Sequence, residues 1–230
     1  MSLILSIETS TSVCSVALSK DGATIASMRE DSPNSHSTLL TILIQRLMES
    51  SGFEMPQLNA VAVSGGPGSY TGLRIGVSVA KGICFASGIP LIAIPSLEVM
   101  ALGVNIKTLP KDVELLCPMM DARRMEVYSA LFDTALNPVK NTCAEIIDEN
   151  SYQDLLTNKK IAFFGNGAEK CMKTMCHHNI VYVENIVPLA SQMDKIAFKR
   201  FLEEKFENVA YFEPFYLKEF VASTPKNKII

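Results

Sequence analysis

The chain has no tryptophan and only three histidines, two of them the adjacent His177 and His178. A Ser/His/Asp or Cys/His catalytic set would have to rest on His36, which has no Cys or Ser suited to nucleophilic work nearby, so capping or packing is its simpler role. Charge of one sign is also scarce: 21 Lys and Arg stand against 24 Asp and Glu over 230 residues, a net charge of −3. That balance makes no overall positive field to gather nucleic acid, so any such contact has to be local or made by a partner. Lys218, Lys226 and Lys228 leave the C-terminal tail mildly basic, which reads as a solvated tail. The uncharged stretch Gly82 to Leu97 falls short of the ~20 residues of a membrane-spanning helix and contains Gly88, Pro90 and Pro95. Met1 to Glu8 lacks a basic leader and reads as a strand rather than a signal peptide, so the expectation is a cytoplasmic protein without membrane contact. Six cysteines are scattered through expected strands and helices, which suits reduced, buried thiols. Their one cluster, Cys171, Cys176, His177 and His178, offers soft ligands, but no second pair completes a four-ligand zinc site; metal binding there stays open.

What is present is an ordinary globular composition, 48% apolar and 20% charged, which excludes disorder and fibres. Ser2–Glu8, Val13–Ser19 and Ala23–Met28 read as three strands, the last two joined by a hairpin turn at Lys20-Asp21-Gly22. After the breaker and cap residues Ser32-Pro33-Asn34-Ser35, Leu39, Leu40, Leu43, Leu47 and Met48 recur at helical spacing up to Gly52. Ile42 and Ile44 widen the apolar arc, which suits a helix that packs on its own sheet and on a second protein. A strand at Leu58–Val63, a Gly-rich loop, a helix at Leu73–Ser87, a strand at Leu91–Ile94 and a helix at Ser96–Leu102 follow.

The second half repeats this layout. Strands at Leu115–Asp121, Met125–Phe132 and Cys143–Asp148 precede a helix at Tyr152–Thr157, a strand at Ile161–Phe164, the loop Gly165-Asn166-Gly167 and a helix at Ala168–Met175. A carboxylate, Glu8 or Asp121, closes the first strand of each half. The expectation is an α/β duplication, residues 1–103 and 104–230, with the last helix and tail able to pack back on the first domain. Two such units resemble the duplicated ribonuclease-H-like domains, mixed sheets flanked by helices, of the actin-like ATPase (ASKHA) fold, in which the acids and turns face a nucleotide cleft.

Three places could carry chemistry. The loop from Gly65 to Gly72 leads into a helix and is ready for an anion, yet it has no P-loop ending and misses the dinucleotide spacing; Gly76 and Gly82 beyond it point to close packing. Glu8, Thr9, Ser10 and Thr11 set a carboxylate beside hydroxyls at a strand end, which would suit hydrated magnesium or only a capped turn. Arg123 and Arg124 put two guanidinium groups at a turn, to clamp a phosphate or carboxylate or to pair with Asp121 or Glu126.

The run Gly65-Gly66-Pro67-Gly68-Ser69-Tyr70-Thr71-Gly72-Leu73-Arg74-Ile75-Gly76, followed by Val79-Ala80-Lys81-Gly82, resembles the TsaB (YeaZ) family, which takes part in making threonylcarbamoyladenosine in bacterial tRNA. Ile7-Glu8-Thr9-Ser10, Gly88-Ile89-Pro90-Leu91, Ser96-Leu97-Glu98, Asp121-Ala122-Arg123-Arg124, Glu126-Val127-Tyr128 and Pro214-x-Tyr216-Leu217 extend the resemblance over essentially the whole chain; Lys218 stands where the family usually has Arg. The family's catalytic relative, TsaD, ends its first strand with an acid pair where this chain has Ser12 and Val13. Its two metal-binding histidines line up with Ser96 and Met100.

The resemblance therefore implies a non-catalytic subunit of the tRNA threonylcarbamoyl transferase complex, with Glu8 to Thr11 a degenerate loop and no cofactor of its own, ATP and metal acting in the partners. It implies pairing of the first-domain helices, through Leu39, Leu40, Leu43, Ile44, Leu47, Tyr70, Leu73, Arg74, Gly76, Val77 and Ala80, with TsaD or with a second copy of the chain when TsaD is absent. A TsaE-type ATPase joins that assembly, and tRNA is met only through the complex, with Arg123 and Arg124 as candidate contacts. The alternative is an independent enzyme of the same superfamily, a small-molecule kinase or a metallopeptidase-like protein.

Overall fold

The computed structural model describes residues 1–31 and 36–217; the cap residues Ser32 to Ser35 and the tail lysines 218, 226 and 228 lie outside them. The first half folds as β1 (Leu3–Glu8), β2 (Cys14–Lys20), β3 (Ala23–Glu30), α1 (His36–Ser51), β4 (Ala60–Ser64), α2 (Tyr70–Ser87), β5 (Leu91–Ile94) and α3 (Ser96–Leu102). The second half gives β6 (Val113–Asp121), β7 (Glu126–Asp133), β8 (Pro138–Ile146), α4 (Gln153–Leu156), β9 (Lys160–Phe164), α5 (Ala168–Met172), β10 (Ile180–Val183) and α6 (Asp194–Leu202).

Each half builds one five-stranded sheet, ordered β3-β2-β1-β4-β5 and β8-β7-β6-β9-β10. In both, an antiparallel meander continues into two parallel strands, so the sheets share one topology. The turn between β2 and β3 holds Asp21 at φ 51° and Gly22 at φ 79°, the left-handed pair that a tight hairpin requires.

β1 is buried along its whole length because both of its faces are covered. Leu3, Leu5 and Ile7 point into a core with α1 and α2, while Ile4 points into a second core with Val99 of α3 and with Met193 and Ala197 beside and on α6. The two-residue repeat of a strand thus sorts alternate side chains into two layers. In the second sheet, Leu115, Cys117 and Met119 pack towards α4 and α5, and Leu116 and Met120 pack with Leu97, Met100 and Ala101 of α3. α3 therefore lies between the sheets and belongs to both cores.

α6 comes from the far end of the chain but packs on the first sheet. Asp194, at its start, accepts hydrogen bonds from Ser6 Oγ at 2.8 Å and Thr24 Oγ1 at 2.5 Å. Arg200 pairs with Glu98 of α3 at 2.8 Å and also donates to the Ala93 carbonyl. Beyond α6 the chain runs back along the same domain: Glu207 N–H donates to Leu91 O, Lys81 holds the carbonyls of Ala210 and Phe212, and Phe215 N–H donates to Gly65 O at 2.7 Å. Among the described residues, no helix is long and apolar enough to cross a membrane.

Candidate functional site

The loops that follow β1 and β4 and the turn after β6 face one another across a cleft of about 850 Å³. One wall is the β1–β2 loop and the starts of α1 and α2; the other is the segment Met120 to Arg124 with Glu126, Tyr128 and Asn166. Ser10, Thr11, Tyr70, Arg123 and Arg124, far apart in sequence, all line it.

Glu8 closes β1 beneath this cleft and is wholly buried. Its Oε1 accepts the Ser10 N–H at 2.5 Å, and burial pushes its carboxyl up to about 7, against the lowering effect of its hydrogen bonds at Ser10, Ser64 and Thr9. Among the described residues, Thr9 Oγ1 and His36 Nε2 are buried without a hydrogen-bond partner. A carboxylate turned into its own loop in this way is not set out to hold magnesium.

The Gly-rich segment explains how α2 comes so near. A Cβ at Gly68 would overlap the Ser10 carbonyl, one at Gly72 the Thr9 carbonyl, and one at Gly76 the Thr9 hydroxyl. Ser69 N–H donates to Ser10 O at 2.7 Å, and the Ser69 hydroxyl caps the helix by accepting the Gly72 N–H at 3.2 Å. The glycines thus let the first two turns of α2 dock on the β1–β2 loop. Gly82, in contrast, has no atom of the described residues within 4 Å of its Cβ position.

On the opposite wall Asp121 is ion-paired with Lys170 of α5, not with either arginine. Lys170 also donates to the carbonyls of Arg124 and Glu126, both at 2.7 Å, and Asp121 Oδ1 accepts the Arg123 N–H at 3.0 Å. This tie holds Arg123 and Arg124 at φ 73° and 51° with their guanidinium groups exposed. The sequence reading missed Lys170; its place just after the Gly165-Asn166-Gly167 loop, opposite Asp121, was the available signal.

The expected partner-binding set divides on inspection. Leu40, Leu43, Ile44 and Leu47 of α1 and Leu73, Val77 and Ala80 of α2 are buried in the first core, and Gly76 is buried against Thr9. Their periodicity records packing on the domain's own sheet, so they do not form an outer surface. Leu39 and Tyr70 are half-buried, and Arg74 is exposed with its guanidinium 4.6 Å from the Tyr70 ring centre. The Tyr70 ring also meets Tyr216 at 4.9 Å. The accessible side of these helices instead carries Thr41, Ile42, Ser78, Gly82 and Phe85, the last 85% exposed.

The positions aligned with the metal motif are occupied otherwise. Ser96 is buried with its Oγ accepting the Gly66 N–H at 3.1 Å, Met100 lies in the core, and Glu98 belongs to Arg200. Cys171 is buried and donates to Gly167 O, Cys176 is exposed, and the rings of His177 and His178 stack 4.4 Å apart. Among the described residues, no group of three or more His, Cys, Asp and Glu side chains is arranged to hold a metal ion.

Comparison with known proteins places this geometry. The sequence model of the TsaD family, tRNA N6-adenosine threonylcarbamoyltransferase, matches residues 28–224. The chain is 32% identical to the tRNA threonylcarbamoyladenosine biosynthesis protein TsaB of Escherichia coli over 95% of its length and 96% of that protein. To TsaB of Bacillus subtilis it is 34% identical over 56% of this chain and 54% of the relative. Among solved structures, YeaZ from Pseudomonas aeruginosa superposes with a TM-score of 0.81 at 24% identity, over 94% of this chain and all of that one.

Proposed function

Because the chain belongs to the TsaB (YeaZ) family of tRNA threonylcarbamoyladenosine biosynthesis proteins, we propose that it acts there as a non-catalytic subunit. In this reading it binds and activates a TsaD-type subunit, which transfers threonylcarbamoyl from its adenylate to adenosine in tRNA next to the anticodon. The observation that carries the reading is the fate of the acids that close the first strand of each half and of the one in the segment aligned with the metal motif. Glu8 is buried and hydrogen-bonded within its own loop, Asp121 is held by Lys170, and Glu98 is held by Arg200. With Ser96 and Met100 inside the protein, the residues present do not fit a metal, which needs several converging ligands.

Binding would use the accessible face of α1 and α2. Ile42 is exposed there, and Gly82 leaves room for a close neighbour that the described residues do not supply. The same face would pair two copies when the TsaD-type subunit is absent. ATP and metal would act in the partner subunits, a TsaE-type ATPase among them, and tRNA would be met through the complex.

Reconstituted tRNA threonylcarbamoylation tests this directly, using a TsaD-type subunit, a TsaE-type ATPase, the adenylate-forming enzyme, ATP, threonine and bicarbonate. Dependence on this protein, together with loss of all activity when the TsaD-type subunit alone is omitted, is the expected result. Modification that proceeds equally well without it would overturn the proposal.

A further inference from the structure

After α6, residues 207–217 form an extended strap. α6 covers one face of the first sheet, whereas Val209 and Phe212 pack into the core on the other face, so the strap rounds the free edge of β5, where Glu207 bridges to Leu91. Its side chains alternate: Phe212, Pro214 and Tyr216 are half-buried against the domain, while Tyr211, Glu213 and Phe215 are exposed. The receiving surface is fitted to it. Lys81 Nζ donates to the carbonyls of Ala210 at 3.2 Å and Phe212 at 2.9 Å, Gly65 O accepts the Phe215 N–H at 2.7 Å, and a Cβ at Gly66 would stand 2.6 Å from Phe215 O.

The strap lies along one flank of α2. Thr71, Arg74, Ser78, Gly82 and Phe85 recur at helical spacing as the exposed stripe of that helix. Tyr70 and Lys81 fall together on one side of the stripe, and both meet the strap, Lys81 through the two carbonyls and Tyr70 through the Tyr216 ring at 4.9 Å. The accessible surface of α2 therefore continues onto the outward side chains of the strap. Phe85 is 85% exposed, Tyr211 83% and Phe215 51%. Aromatic rings of this kind carry much of the energy at protein–protein contacts, and a backbone clamped in advance loses little freedom on binding.

We propose that the strap is part of the surface that a TsaD-type subunit covers, with Tyr211 and Phe215 as its contacts and Lys81 as the positioning residue that presents them. This rests on the reading of α1 and α2 as the partner-binding face and adds to that face a segment distant in sequence. The TsaD family's sequence model matches residues 28–224, which include α1, α2 and the strap. A TsaD-type subunit thus carries counterparts of all three, and like surfaces can be set against each other as in an isologous contact.

Two measurements on the full chain with a TsaD-type subunit test this. In hydrogen exchange, peptides from α2 and peptides from residues 207–217 should both gain protection on association; a gain in α2 without one in the strap would overturn the proposal. By isothermal titration, the double variant Tyr211→Ser, Phe215→Ser should bind about tenfold or more weakly. Ile146→Ser, at an exposed apolar position of the second sheet, should bind as the parent does. Lys81→Met keeps the apolar stem but removes the clamp; it should weaken association and quicken exchange at the Phe215 amide, and Lys81→Arg should restore both. Thermal melts accompany each variant. Lower melting of Lys81→Met with unchanged affinity, parent-like binding by the double variant, or loss of self-association alone would each overturn the proposal. A parent chain that does not bind the TsaD-type subunit at all would overturn the proposed function together with it.

Discussion

The hydroxyl of Thr9 fills the space that a side chain at position 76 would need, so Gly76 is the contact through which α2 rests on the end of β1. Gly76→Ala should therefore destabilise the protein by about 1–3 kcal/mol through overpacking, although Ala is the better helix former by about 1 kcal/mol. Gly82→Ala, six residues further along the same helix but facing open space, should stabilise it by about 0.5–1 kcal/mol. Urea midpoints of the two variants give the comparison, and equal effects would contradict the packing described.

Glu8 makes stability depend on pH. Its folded pKa is raised from 4.5 to about 7, so the folded state binds the proton more tightly; the stabilisation is complete below the unfolded pKa and is lost as pH rises through about 7. Asp194, raised from 3.8 to about 6 by burial, acts in the same direction at lower pH. Glu8→Gln keeps an acceptor for the Ser10 N–H without the charge. Its stability relative to the parent should improve by about 2–3 kcal/mol between pH 5 and pH 8, measured by urea unfolding.

Asp194→Ala should loosen the last helix from the first sheet. It would remove the acceptor for Ser6 and Thr24, leaving the Ser6 hydroxyl unpaired in the interior at a cost of about 1–3 kcal/mol. Hydrogen exchange should quicken in α6 more than in the second sheet.

On α1, neighbouring substitutions should separate folding from assembly. Ile42 is 39% exposed, so Ile42→Glu should leave circular dichroism intact while weakening association with a TsaD-type subunit by about tenfold or more. Leu40 is fully buried, and Leu40→Glu should abolish folding. Size-exclusion chromatography with the partner, beside a thermal melt, distinguishes the two outcomes.

Thiol chemistry offers an independent check on burial. Cys176 is exposed, whereas Cys14, Cys84, Cys117 and Cys171 are buried and their thiols are pushed upward by burial. A thiol reagent should label Cys176 first in the folded protein, and all six cysteines only in denaturant.

The fold was legible where side-chain pattern and backbone chemistry agreed. The strand Leu91–Ile94 and the helix Ser96–Leu102 have the bounds expected from sequence, and the hairpin at Asp21-Gly22 is formed. α2 begins at Tyr70 rather than Leu73 because Ser69 caps it, a start hidden by the density of glycines. β8 begins at Pro138, well ahead of Cys143, because its first residues form an exposed edge with no apolar alternation to reveal it. The strand Ile180–Val183 and the bounds of α6 were not resolved by periodicity, α6 being short and marked mainly by its mixed charged and aromatic faces.

Legibility of the site followed a similar line. Glu8 to Thr11 and Arg123-Arg124 read as separate motifs whose facing across one cleft only the fold resemblance implied, and the structure sets Ser10 and Thr11 opposite Arg123 and Arg124 there. The helix-spaced leucines were over-read as a partner surface, since periodicity reports that one face is apolar without saying which neighbour covers it. Lys170, which commands the arginine turn through two backbone carbonyls, is signalled in the sequence only by its place on the short helix after the Gly165-Asn166-Gly167 loop.

The return of α6 to the first sheet also sets an order of events during synthesis. All five strands of that sheet have been made once Ile94 emerges, and Val99 of α3 follows at once, but the rest of the cover for Ile4, Ala60, Ala62, Ile92 and Ile94 arrives with Met193 and Ala197, about 100 residues later. At about 5–20 residues per second, the nascent chain carries a half-covered apolar sheet face for roughly 5–20 s. During that interval the amino-terminal half depends on what the ribosome exit and its attendant chaperones shield, and it becomes a finished domain only when nearly the whole chain has been translated.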